Sequence, residues 1–283
     1  MRELVTIARY GLREGLRRKA FAVVLLLTVL FLFLYWLGDH YLFRDVAHIQ
    51  PPEGIEPRTF AGAFMVGLAM FATLFLGVVL AVFLTLAAVR GDAERGLLQP
   101  LVVRPLGRSK LLVARWLGAV AVCTPYVLAV YFASMAITGL TGHWWPDRIA
   151  TPGIELAAAV ALVAAISLLG SVFLSSIANG IAVFMVFGAG IVAGLLGTIG
   201  HALPSRTLSH GARIAAWILP FEALYEDGLH EITADTTSLT GFLLRLGPFG
   251  GAEQGGTTLR LWAAAYLVLV AAVALAGFSR RDL

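Results

Sequence analysis

Charge is scarce in this chain. Only 13% of its 283 residues are Asp, Glu, Lys or Arg, whereas 59% are hydrophobic, and the mean hydropathy is +0.85. That balance excludes an ordinary soluble domain and points to lipid as the solvent. Cysteine is nearly absent as well: Cys123 stands alone inside an apolar run, so no intrachain disulfide can form and cysteine usage does not fix a redox compartment. The phosphate-cradling pattern Gly-x-x-x-x-Gly-Lys-Ser/Thr is missing. Gly107-Arg108-Ser109-Lys110 has the residue types but neither the spacing nor a preceding strand. Nucleotide-driven work would therefore need a second chain to bind the nucleotide.

The apolar runs themselves lack ionisable groups. Ala20 to Leu37, Phe60 to Val89, Leu117 to Leu140 and Gly180 to Gly200 contain no Asp, Glu, Lys, Arg or His, and Glu155 and Arg260 fall at the ends of two further runs. Ion-coupled carriers need intramembrane carboxylates or broken helices at the midplane, so proton or sodium coupling is not expected. An intramembrane hydrolase needs a nucleophile with a base, or His-Glu-x-x-His metal ligands, and no run supplies a histidine for either. The expectation is a chain without catalytic residues, cofactor or metal of its own.

What is present is six stretches of about 20 apolar residues, each long enough to cross roughly 30 Å of hydrocarbon. They are placed at 20–37, 60–89, 117–140, 154–174, 179–200 and 259–278. The second is about 45 Å long as a helix and should project beyond the bilayer, the cytoplasmic end being the better place for the excess. Arg17, Arg18 and Lys19 precede the first run as in a signal peptide, but the run is long and ends in Gly38-Asp39-His40 rather than at a small-residue cleavage site, so a retained anchor is expected.

Basic residues then set the orientation. Arg2, Arg9, Arg13, Arg17, Arg18 and Lys19 precede the first run. Arg90, Arg95, Arg104, Arg108, Lys110 and Arg115 lie between the second and third, and Arg280 and Arg281 follow the last. Those segments belong to the cytoplasmic face in one consistent topology, with both termini inside. The opposite face keeps Arg44, Arg58, Arg148, Arg206, Arg213, Arg245 and Arg260, thinly spread, with all six histidines. The net charge of +4 thus reads as a topology signal and not as a nucleic-acid surface. Residues 1–19 put Leu4, Val5, Ile7, Ala8 and Leu12 on one helical face and arginines on the other, which suits an interfacial helix on the inner leaflet; a charged lead-in to the first span is the plainer reading. The external segment 201–258 holds two apolar stretches, Ile214–Leu224 and Leu239–Leu246. Both are too short to cross alone and are assigned as re-entrant or interfacial helices before the last span. The fold class is therefore an all-α integral membrane domain of six transmembrane helices.

The segment 90–118 reads RGDAERGLLQPLVVRPLGRSKLLVARWLG, a short apolar core among basic and small residues. Glu94-Arg95-Gly96-Leu97-Leu98, Leu101-Val102-Val103-Arg104-Pro105, Arg108 and Leu111-Leu112 follow the order found in the cytoplasmic connection of ABC-2-type transporter permeases, which this segment resembles. The basic amphipathic N-terminus, the six spans, Leu219-Pro220-Phe221 in the external segment and the terminal Phe278-Ser279-Arg280-Arg281-Asp282-Leu283 extend the resemblance along the chain. Leu97 stands where the family often has Thr. Gln99-Pro100 replaces a carboxylate and Leu, and the proline should break or restart a coupling helix there.

The resemblance implies a permease subunit of the inner (cell) membrane that pairs with a second permease subunit and sits on two ATP-binding subunits. Mg-ATP would be held by those subunits and not by this chain. The coupling segment 90–116, in particular Glu94, Arg95, Gly96, Arg104, Pro105, Arg108 and Lys110, would carry their closure to the spans. The residues agree in kind, since a carboxylate and four cations can make charge-assisted contacts with a soluble partner while Gly96 and Pro105 set turns. The alternative is that the cations only enforce topology. Export is the expected activity, and the competing function is a non-transporting module through which ATP hydrolysis powers or assembles an external machine.

Three weaker patterns remain. Gly190-x-x-x-Gly194 permits close helix approach and fits either a seam with a second subunit or internal packing. Glu222, Glu226 and His230, joined by Asp227 and Glu231, lie at helical spacing and read as a solvated acidic face or, less simply, a cation site. Trp144-Trp145-Pro146 suits an anchor at the outer interface.

Overall fold

A computed structural model describes residues 19–46, 48, 56–86, 108–202, 206–236, 240 and 255–279. Within them the chain is helical: α1 (Lys19–Val46), α2 (Pro57–Thr85), α3 (Arg108–Gly142), α4 (Thr151–Phe173), α5 (Ser176–Ala202), α6 (Arg206–Ile218), α7 (Pro220–Ile232) and α8 (Gly256–Ser279). Six of these, α1 to α5 and α8, are long and apolar enough to cross a membrane. Several begin where proline is tolerated, with Pro57, Pro152 and Pro220 in the first turns of α2, α4 and α7.

Two helices form the middle of the bundle. In α2 and α4 67% of the apolar window is buried, against 17% in α1 and 22% in α8. Accordingly α2 packs on α1, α3 and α4, and α4 packs on α3, α5, α7 and α8. The outer helices leave Leu26, Val29, Ile177, Met185, Leu261 and Val268 exposed, an apolar surface that a water-solvated monomer would not carry. In lipid such a surface needs no cover, but every polar group does. Several side chains within the spans comply. Thr28 meets the Tyr126 hydroxyl at 2.6 Å, Thr85 donates to Ser167 at 2.7 Å, Tyr35 meets Thr138 at 2.6 Å, and Asn179 Nδ2 donates to the Ser167 carbonyl at 2.9 Å.

Core clusters mark the two ends. Leu112 at the start of α3 packs with Leu168 and Val172 near the end of α4 and Phe278 at the end of α8. At the other end, Phe43 of α1 covers Gly142 of α3, and Trp144 covers Gly62 of α2 so closely that a Cβ there would overlap the indole. The α6–α7 pair belongs to this second end, joined to the C-terminus of α5. Helix α7 is wedged among α2, α4, α5 and α8, with Phe221 fully buried.

The helices overrun the sequence-based limits. α1 does not stop at residue 37 but continues to Val46, because Asp39 is buried and accepts hydrogen bonds from Thr138 (3.3 Å) and Thr141, one turn apart on α3. α3 starts at Arg108 rather than 117, so part of the expected connection is helix. The stretch Ile214–Leu224 is not one helix: α6 ends at Ile218 and Pro220 opens α7. The expected interfacial helix at 1–19 lies outside the described residues except for Lys19, and so does the expected second external helix, 239–246, except for Thr240.

Candidate functional site: a charged cleft between α4, α7 and α8

Three helices converge at the α7 end on one guanidinium. Arg260, in the first turns of α8, donates from Nε (2.9 Å) and Nη2 (2.6 Å) to Glu155 Oε1 of α4. The same Nη2 lies 3.3 Å from Asp227 Oδ2 and 3.5 Å from Glu231 Oε1, both on α7. The acids sit behind the base: the side chains of Glu155, Asp227 and Glu231 are 4%, 0% and 13% exposed, that of Arg260 41%. Burial of this kind is sustained only by pairing, since an unpaired carboxylate in a low-dielectric site is very costly.

Backbone geometry completes the pairing. Asp227 Oδ1 accepts from the N–H groups of Gly255 (2.7 Å) and Gly256 (3.3 Å), at the positive end of the α8 dipole. Gly256 makes that approach with φ +59, a left-handed conformation that a side chain would strain. On the far side, the 143–150 linker grips the end of α7. The Asp147 N–H donates to the Ile232 carbonyl (3.0 Å), Asp147 Oδ2 accepts from the Asp235 N–H (3.0 Å) and the Thr236 hydroxyl (3.2 Å), and Arg148 stands 3.8 Å from Glu231. One acceptor is left over: Glu155 Oε2 is buried against α7 without a donor among the described residues.

Below Arg260 an apolar cleft of about 570 Å³ opens on the side of the bundle, between α4 and α8. Ile154, Ala158, Ala161, Ala264 and Leu267 form its walls and Trp116 of α3 closes its far end, with the Trp116 indole N–H satisfied by the Ala161 carbonyl at 3.1 Å. Trp217 and Trp262 meet at a tilt beside the charged end, ring centroids 5.4 Å apart, and the Trp262 indole donates to the Trp217 carbonyl at 2.9 Å.

The sequence-derived residues fall as follows. Glu94, Arg95, Gly96, Arg104 and Pro105 lie outside the described residues. Arg108 is the first residue of α3 and Lys110, two residues on, is exposed. Gly190 and Gly194 face α7: a Cβ on Gly190 would lie 2.7 Å from the Phe221 ring, and one on Gly194 would overlap Glu222 Oε1.

The acidic set on α7 is not a solvated face. Glu222 is 3% exposed and Asp227 fully buried, because α7 is surrounded by other helices instead of lying on the surface. Burial pushes the Tyr225 hydroxyl well above the usual phenol range, with Glu222 and Glu226 adding to the effect. No group of three or more His, Cys, Asp or Glu among the described residues is arranged to hold a metal ion.

Sequence reasoning missed the Glu155–Arg260 pair. Its trace was visible: α4 and α8 enter from the same end, and each carries a single charge in its first turns, of opposite sign. No protein-family model matches this sequence, and no curated protein matches it.

Proposed function

We propose that this chain is the membrane-spanning permease subunit of an ATP-driven exporter of the ABC-2 type, paired with a second permease subunit and driven by two separate ATP-binding subunits. The observation that carries the reading is the ordered set Glu94-Arg95-Gly96, Arg104-Pro105 and Arg108 between two long apolar helices. Charge bias alone accounts for the cations but not for the order of Glu, Gly and Pro among them.

The fold supports this in three ways. Six crossings return the chain to the side where it began, so the last turn of α2 and the first of α3 share an end with Lys19 and Ser279. The start of α3, which continues the 87–107 connection, is packed through Leu112 onto the ends of α4 and α8, so a push on the connection reaches three spans at once. At the opposite end, α6 and α7 serve as the external re-entrant pair, with Arg260 of α8 pairing ionically with both α7 and α4. On this reading the basic end is cytoplasmic, residues 1–19 lie on the inner leaflet, and the protein resides in the cell membrane.

The test is a search of the neighbouring reading frames for an ATP-binding subunit, followed by co-expression and co-purification with it. Reversing charge with Glu94→Lys or Arg104→Glu should abolish the complex while the free permease still elutes as a monodisperse species. A complex that survives both reversals, or ATP hydrolysis by the purified chain alone, overturns the proposal.

A further inference from the structure

We infer that the cleft between α4 and α8 binds one acyl chain of a phospholipid, with the lipid phosphate on Arg260. The inference rests on the six spans and not on the ATP-driven reading, so either can fail without the other.

The length of the cleft is the first argument. Its α4 wall runs from Thr151 to Leu162, about 16 Å at the helical rise, which is half of a roughly 30 Å hydrocarbon core. A groove of that reach accommodates the chain of one leaflet and ends where the chain ends, at Trp116. Its walls are small or aliphatic, with Ala158 and Ala264 exposed on either side of the opening, so a chain can enter sideways from the bilayer.

Charge complementarity at the mouth is the second. Of the ionic cluster, the guanidinium is what an incoming molecule meets, since its side chain is 41% exposed while those of Glu155 and Asp227 are 4% and 0%. The three acids are held on the inner side of the guanidinium, with the Gly255 and Gly256 N–H groups on Asp227 and Arg148 3.8 Å from Glu231. Nε and Nη2 are engaged and Nη1 carries no contact among the described residues, which leaves donors for a phosphate oxygen, an acceptor that arginine suits. The depth agrees: Arg260 sits in the first turns of α8 beside the Trp217–Trp262 pair, and paired tryptophans mark the headgroup level.

The cleft carries its own reporter in Trp116. Purified full-length protein in detergent would be titrated with phosphatidylglycerol bearing brominated acyl chains, and Trp116 quenching taken as the difference between the native protein and Trp116→Phe. The expected result is saturable quenching of Trp116, with brominated diacylglycerol, which lacks phosphate, binding about tenfold more weakly, the worth of one charge-assisted contact. Ala264→Phe fills the cleft without touching the ion pairs and should remove the Trp116 signal. Ala158→Phe, on the opposite wall, does the same should the first variant fail to elute as a folded species. Quenching that does not differ in Trp116→Phe, that persists in the filled variants, or that is equal for diacylglycerol overturns the inference.

Discussion

Removing Arg260 should damage this protein more than removing the acid that it binds. In Arg260→Met the aliphatic stem is kept, but Glu155 and Asp227, both buried, lose their shared cation. Truncating one partner of a buried pair costs about 3–5 kcal/mol, mostly through the stranded charge. Since the guanidinium is 41% exposed and partly screened, the expected loss is nearer about 2 kcal/mol. Glu155→Gln alone should be mild. Its amide oxygen still accepts from Arg260, and its N–H₂ group can donate to the adjoining Asp227 carboxylate, which Glu155 Oε2 as a carboxylate oxygen cannot do.

The double variant is the decisive case. With a neutral amide at position 155 instead of a stranded carboxylate, Arg260→Met/Glu155→Gln should be about 1 kcal/mol more stable than Arg260→Met, the reverse of additive damage. The assay is the apparent Tm in detergent by tryptophan fluorescence, with hydrogen exchange to follow α7, whose amides should open first when its tie to α8 is lost. A single Arg260→Met variant as stable as the native protein, or a double variant worse than Arg260→Met, would refute the reasoning.

Other substitutions test the packing. Gly62→Ala drives a Cβ into the Trp144 indole and should cost about 1–3 kcal/mol of stability, whereas Gly188→Ala meets nothing within 4 Å and should be neutral or slightly stabilising, both read from the apparent Tm. Asp39→Leu strands the Thr138 contact and the Thr141 contact in a buried site and should lower stability by about 1–3 kcal/mol, while Asp39→Asn retains an acceptor and should cost less. Tyr225→Phe deletes a buried hydroxyl with no hydrogen-bond partner among the described residues, so it should not destabilise. Tyr225 also contributes to base sensitivity. Its folded-state pKa is raised, so its stabilisation is full below the unfolded phenol pKa of about 10 and declines as pH rises above it. Tyr225→Phe should therefore postpone unfolding in base, measured by Tm against pH.

Six crossings were legible because the signal is local: some 20 apolar residues in a row admit few other structures. Their ends were less so. Gly38-Asp39-His40 looks like an exit from the membrane, yet α1 runs on to Val46 because two threonines, about a hundred residues later and one turn apart, satisfy the aspartate. The α7 acids misled in the same way. Spacing along one helix states which side chains share a face and not what that face meets, and here it meets α4, α5 and α8.

The Glu155–Arg260 pair states the general case. Two charges 105 residues apart, each at the mouth of an apolar run, are indistinguishable in sequence from two topology anchors. An anchor would remain hydrated, and its removal would change orientation with little effect on stability. A buried tie does the opposite. The short α7 helix decides between these outcomes, because it is too short to cross on its own yet brings Asp227 and Glu231 to the same guanidinium. Thus α4, α7 and α8 are held at a single point: a motion that separates α8 from α4 must break Arg260 away from Glu155, and one that separates α8 from both α4 and α7 must break it away from three carboxylates.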